Sequence, residues 1–234
     1  MNQGTISGII KSEFKQIGND ENKGIRFTVG ISTNPKNPDA VENFEVVARN
    51  ANAELLESTA KKGSRVNLDY RLGSDKVDEG HYDNVLVVNK VLGVMDAKAG
   101  TDFAVVTVGG TAKFRRLNTT PNNSSVLNAS VTILKEFQGR VSKTFTDVAL
   151  WNSLAEANAD KQEQEVDMVV IGSPKSKEVE GKFKIDIWAN SVMFVAASEG
   201  GESSTSSEGE SSAKDEKPKR QFRQRSQSND DIEF

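Results

Sequence analysis

Residues 145–151, FTDVALW, place two aromatic side chains at alternating positions of a β-like run. In an extended strand Phe145, Asp147, Ala149 and Trp151 face one side, and Thr146, Val148 and Leu150 face the other. Val148 and Leu150 suit an interior. Phe145 and Trp151 then share a more polar face with Asp147, where a ring needs a reason to be. A flat ring on a surface can stack against another flat group, and cations beside it can hold an anion. The best basic cluster is Lys113, Arg115 and Arg116 in TAKFRRLN, which Lys143, Lys182 and Lys184 could extend. Lys11, Lys15, Arg26, Lys61, Lys62 and Arg65 are candidates in the first half. Trp188 alternates with Lys184 and Asp186, opposite Ile185 and Ile187, and suits either stacking or a subunit interface. The plainer alternative is that the rings fill a core and each cation is a solvated surface residue.

Other chemistry is hard to build from this composition. The 234 residues contain no Cys and one His, His81. Disulfides, thiol nucleophiles and thiolate metal sites are excluded, and a His-based catalytic or metal centre lacks material. No phosphate-binding glycine loop, Ser–His–acid set or clustered carboxylates occur; GTAK at 110–113 lacks the spacing of such a loop. A non-enzymatic protein without cofactor or metal is expected. Net charge is −4, with −2 on residues 1–97, +1 on 98–197 and −3 on 198–234. The body is nearly neutral, so charge alone assigns no partner. No apolar run is long enough to span a membrane, and MNQGTISG lacks the pattern of a signal peptide. An intracellular protein without a membrane partner is expected.

The elements that must position these side chains are short β-branched runs between turn signals. TISGII (5–10), IRFTVGI (25–31), FEVVA (44–48), RVNLDYRL (65–72) and VLVVNKVLGV (85–94) read as strands, with a helix over Asn50–Ala60 ended by Gly63. The second half repeats the order. FAVVTVGG (103–110), VLNASVTIL (126–134), FTDVALW (145–151), VDMVVIGS (166–173) and KIDIWANSVMFV (184–195) are strands, and Asn152–Lys161 is a helix with Ser153 and Glu156 spaced as a capping box. An offset of about 100 residues aligns the halves, with Phe44 over Phe145 and Asn50 over Trp151. This predicts a tandem duplication, each copy a five-stranded Greek-key barrel or small sandwich. The expected domains are residues 1–97 and 98–197, followed by 198–234 as a disordered tail, since SEGGESSTSSEGESSA (198–213) has no large apolar residue.

FTDVALWNSLAE (145–156), AKKGSRVNLDYRL (60–72), HYDNVLVVNKVLGVM (81–95) and KFKIDIWANSVMFV (182–195) resemble segments of bacterial-type single-stranded-DNA-binding (SSB) proteins. The ending NDDIEF (229–234) resembles that family's acidic tip, with Glu233 where the family usually has Pro. The resemblance implies an all-β fold with short helices: two tandem OB-fold barrels and a disordered C-terminal tail. It implies sequence-nonspecific binding and protection of single-stranded DNA in replication, recombination and repair. Phe145 and Trp151 fall where the family places stacking aromatics, with Phe44 at the matching position of the first half. Trp188, Tyr82 and Phe183 are further candidate contacts. The resemblance also implies that Asp230, Asp231, Ile232, Glu233 and Phe234 recruit replication or repair proteins. Two chains of two barrels would supply the four OB folds of the family's working unit, hence a homodimer, in a bacterial nucleoid or an infected host's cytoplasm.

A flexible tether keeps such a tip at about millimolar effective concentration near its own body. It could compete for a cationic groove there or dock on a partner. The basic stretch 217–225 could bind nucleic acid or mask the tip. A second reading of the whole chain is a tandem β-domain assembly protein of a phage or cell surface. That reading does not require a helix at the same place in each half.

Overall fold

The computed structural model describes residues 1–19, 22–32, 40–78, 81–137, 139–179 and 182–195. The tail, with the tip residues Asp230–Phe234 and the basic stretch, lies outside the described residues. So do the side chains of Tyr82 and Lys182.

The first half contains β1 (Asn2–Ile10), β2 (Lys15–Ile17), β3 (Gly24–Ser32), β4 (Val41–Arg49), α1 (Ala51–Thr59), β5 (Arg65–Asp78) and β6 (His81–Met95). The second contains β7 (Phe103–Phe114), β8 (Asn118–Thr119), β9 (Ser125–Phe137), β10 (Arg140–Trp151), α2 (Ser153–Ala157), a 3₁₀ turn (Ala159–Lys161), β11 (Glu165–Val179) and β12 (Lys182–Phe194). Strands β1, β3, β4, β6 and β5 close into a ring, because β1 pairs with both β3 and β5. Strands β7, β9, β10, β12 and β11 close in the same way. In each ring only the third and fifth strands run parallel, β4 with β6 and β10 with β12. The chain is therefore two tandem OB-fold barrels, as the sequence resemblance implies.

Alternation builds each core. Ile25, Phe27, Val29, Val46, Ala48, Val66, Leu68 and Leu86 fill the first barrel; Leu127, Ala129, Val131, Val148, Leu150, Met168, Val170 and Ile187 fill the second. Each such Val, Ile or Leu contributes about 1.5–3 kcal/mol by leaving water. Ala53 and Leu56 of α1 join the first core, and Ala155 of α2 the second.

Closure needs β1 and β7 to turn from one partner strand to another. Gly8 and Gly110 stand at the turn. A β-carbon on Gly8 would lie 2.7 Å from the carbonyl oxygen of Gly30, and one on Gly110 would lie 2.3 Å from that of Thr132. Backbone meets backbone there, so only glycine fits. The barrels are joined by an antiparallel ladder in which Asn2–Ser7 of β1 pair with Phe103–Val108 of β7. Counting from the equivalent glycines, Gly4 and Val106 are counterparts, and they face each other. A local two-fold axis thus passes through the seam. Gly4 also makes room for Tyr70, whose hydroxyl donates to the carbonyl of Val105 across it at 3.1 Å.

The helical expectations need two corrections. Ser153 does not cap α2: Asn152 precedes the helix with φ 49° and no side-chain cap. Glu156 instead accepts from Ser125 Oγ at 2.8 Å. The helix also stops at Ala157 rather than running to Lys161.

Gly110→Ala should destabilise the protein by about 1–3 kcal/mol, since the clash is with main chain. Gly93→Ala, with no atom within 4 Å of the new carbon, should change it by no more than about 0.5 kcal/mol. Urea unfolding of the two variants checks this. Burial raises the Tyr70 phenol above its ordinary value of 10.0. The folded state keeps the proton that the unfolded chain releases, so this contribution is constant below about pH 10 and lost as pH rises above it. Alkaline denaturation should be less steep in Tyr70→Phe.

Candidate nucleic-acid interface

The outer surface of β9, β10, β12 and β11 gathers most of the second-half candidates. Strand β10 presents Lys143, Phe145, Asp147 and Trp151 along one side. Its register sets Leu134 opposite Lys143, Ser130 opposite Asp147, and Trp188 of β12 beside Ala149. Phe145 is 64% exposed and Trp188 46%. Trp151 is partly buried, its ring 5.4 Å from that of Trp188 at 57°. Its Nε1 is buried with no acceptor among the described residues. Trp151 therefore supports Trp188 more than it faces solvent. An open pocket beside Phe145 is also lined by Phe183, Lys184, Asp186 and, from the first barrel, Asn84.

The cations divide into paired and unpaired. Arg115 reaches Asp147 at 3.4 Å, and Ser130 Oγ donates to the same carboxylate at 2.8 Å. Arg116 pairs with Glu163 at 2.8 Å, both well exposed. Such surface pairs contribute at most about 1 kcal/mol and yield readily to another anion. Lys113, Lys143 and Lys184 are exposed and form no ion pair among the described residues. Lys182 lies in β12, and Lys62 is exposed after α1, on the first barrel and apart from this face.

Nothing in the residue pattern marks Lys175. Its Nζ stands 5.1 Å above the Trp188 ring and 3.0 Å from Glu42 of the first barrel. The strand expected from the sequence ends at Ser173, before Pro174, whereas β11 runs on to Val179. Pairing with β7 ends at Gly172, so beyond it β11 is an edge strand that tolerates a proline.

Three first-half candidates are corrected. Phe44 is fully buried and has no surface to offer a ligand. The cause is register. Asn50 (φ 51°) and Asn152 (φ 49°) make the same strand-to-helix turn, and their amides donate to the carbonyls of Lys23 and Ser125. These counterparts place Phe44 over buried Thr146, and Arg49 over Trp151. Arg26 is 13% exposed and held by Glu45 at 2.9 Å, Asp83 at 2.6 Å and Asp75 at 3.7 Å. Arg65 is buried and bonded to Asp102, Ser7 and the carbonyl of Ala97, which ties down the linker between barrels. Neither guanidinium is available to a phosphate.

No family model matches the chain, and no curated protein matches it. Solved structures do. A deletion mutant of the single-stranded DNA binding protein from Thermus aquaticus superimposes with a TM-score of 0.66 at 14% identity, covering 84% of this chain and 95% of that one. The wild-type protein from the same organism gives 0.63 at 14% identity, covering 84% and 94%. The fold is the one those proteins have. Among the described residues no helix is long and apolar enough to cross a membrane.

Arg26→Gln should cost about 3 kcal/mol, because the nearly buried Glu45 carboxylate would lose its cation. Lys143→Gln, which breaks no pair, should leave the melting curve unchanged. Thermal unfolding of both variants tests the division into structural and free cations.

Proposed function

We propose that the chain binds single-stranded DNA without regard to sequence, protecting it during replication, recombination and repair. The observation that carries this is one face of the second barrel on which exposed Phe145 and Trp188 stand among unpaired Lys143 and Lys184. An exposed ring on an OB barrel stacks a base of any identity for about 1–3 kcal/mol, and lysines follow the phosphates. Asp147 and Asp186 do not oppose this strongly, because Arg115 and Lys177 already neutralise them. The likeness of fold to single-stranded DNA binding proteins supports the same reading.

The finer parts of the reading rest on the sequence. Residues 1–97 and 98–197 act as two domains of one body. The tip Asp230–Phe234 recruits replication or repair proteins, and the protein works in a bacterial or infected-host cytoplasm. Two chains associate to give four barrels. Exposed Ile171 of β11, Met193 of β12 and Val195 just after it support such a contact.

Titration with labelled oligo-dT at low and high salt, with duplex run in parallel, tests the central claim. Tight single-strand binding with quenched indole emission and little duplex binding is expected. Phe145→Ala and Trp188→Ala should each weaken binding by about 1–3 kcal/mol. No binding at low salt, after the chain from Ser198 onward has also been removed, would sink the proposal.

A further inference from the structure

The place that Trp151 and Trp188 occupy in the second barrel has a different content in the first. Arg49 ends β4 before Asn50, as Trp151 ends β10 before Asn152. Val87 pairs with Val47 as Trp188 pairs with Ala149. Arg71 lies opposite Val87 as Ser173 lies opposite Trp188. Where the second barrel has two indoles, the first has two guanidinium groups around a valine.

The nearby carboxylates do not satisfy both. Glu45 is taken by Arg26 and by Thr28 Oγ1 at 2.7 Å. Asp83 is taken by Arg26 and by the amide of Phe183 at 3.0 Å. Among the described residues Asp75 remains, 3.1 Å from Arg49 and 3.7 Å from Arg26. Arg71 has no hydrogen-bond or ion-pair partner for its side chain among the described residues. Its Nη1 lies back over Gly73, 3.4 Å from where a β-carbon would stand. It is partly buried, and burial, then the charge of Arg49, lowers its pKa from the ordinary 12.5. A guanidinium partly removed from water and set beside a like charge is stabilised by an added anion. Its planar fork suits the two free oxygens of a phosphodiester.

We infer that Arg49 and Arg71 form a phosphate-binding site for the backbone of single-stranded DNA. The inference rests on the binding function proposed above. The second barrel then holds the strand by its bases and the first by its phosphates, so the first contributes salt-dependent affinity without stacking.

The test measures oligo-dT affinity of the full chain across a salt series, for the unaltered protein, Arg49→Gln/Arg71→Gln and Trp188→Ala. Losing two phosphate contacts should lower the slope of log K against log salt by about 1.4, at about 0.7 per contact on a single strand. Indole quenching at saturation should stay unchanged, and Arg49→Lys/Arg71→Lys should recover much of the slope. Trp188→Ala should show the converse, with reduced quenching and the slope retained. Arg71→Gln alone should melt no lower than the unaltered protein, because the side chain has no partner to lose. An unchanged slope and affinity in the double Gln variant, with Trp188→Ala still weakened, would overturn the inference and leave the binding function standing. A lowered melting point for Arg71→Gln would mark that residue as structural and overturn it too. No binding by the unaltered chain would remove both.

Discussion

The antiparallel ladder between β1 and β7 is the constraint on which the rest of the body depends. Each of these strands is shared: one edge pairs within its own barrel, β1 with β5 and β7 with β11, and the other pairs first with its counterpart and then, past Gly8 or Gly110, with the strand that closes the barrel. A strand with both edges in use has no freedom to slide, since a one-residue slip would turn every side chain to the wrong face. Placing Gly4 against Val106 fixes the local two-fold axis, and with it the position of each barrel. Gly4 matters there because Tyr70 must cross the seam above it to reach the carbonyl of Val105. The two-fold also makes the long hairpins reciprocal neighbours. The β11–β12 hairpin reaches the first barrel, where Glu42 holds Lys175 and the amide of Ser176, and Asp83 holds the amide of Phe183.

On this common frame the two outer faces have diverged around a retained pair. Ser130 donates to Asp147 in the second barrel, and Thr28 donates to Glu45 at the matching place in the first. In the second barrel the neighbours are rings and free lysines, and Arg115 meets Asp147 in the open. In the first barrel Arg26 sinks between Glu45, Asp75 and Asp83, and the face is knitted by charge. Burying that cluster costs desolvation that only complete pairing offsets. The first barrel's face is thereby committed to structure except at its Arg49–Arg71 end.

Much of this was legible in the sequence. Ten strand segments, their order and the helix after the third strand of each half follow from β-branched alternation and turn residues. The split of Val148 and Leu150 from Phe145 and Trp151 was also visible, because one strand face alternates cleanly. The first half misled by one residue. FEVVA has apolar residues on both faces, so alternation could not set its phase, and the offset that matched Phe44 with Phe145 looked natural. The structural marker of the true register is the positive-φ asparagine, which the sequence carries as Asn50 and Asn152 but does not distinguish from an ordinary cap. Arg26 and Arg65 were unreadable for another reason. A basic residue in a strand is exposed by default, and only the fold brings Glu45, Asp75 and Asp83, or Asp102, to meet it.

The unpaired cations are therefore more informative than the count of charges. A near-neutral body exerts little long-range pull on a polyanion, yet many of its acids are already engaged by cations of the same chain. Glu42, Glu45, Asp83, Asp102, Asp147 and Asp186 each lie against a cation of this chain. Among the described residues of the second barrel, Lys113, Lys135, Lys143 and Lys184 are exposed and lie outside those pairs, and Lys143 and Lys184 share strands with the exposed rings Phe145 and Trp188. Long-range attraction depends on net charge, and is weak here. Short-range binding depends on which cations have no partner, and those lie where the rings are. Such a protein should capture its ligand by contact rather than by steering, with an association rate that varies less with salt than its affinity does.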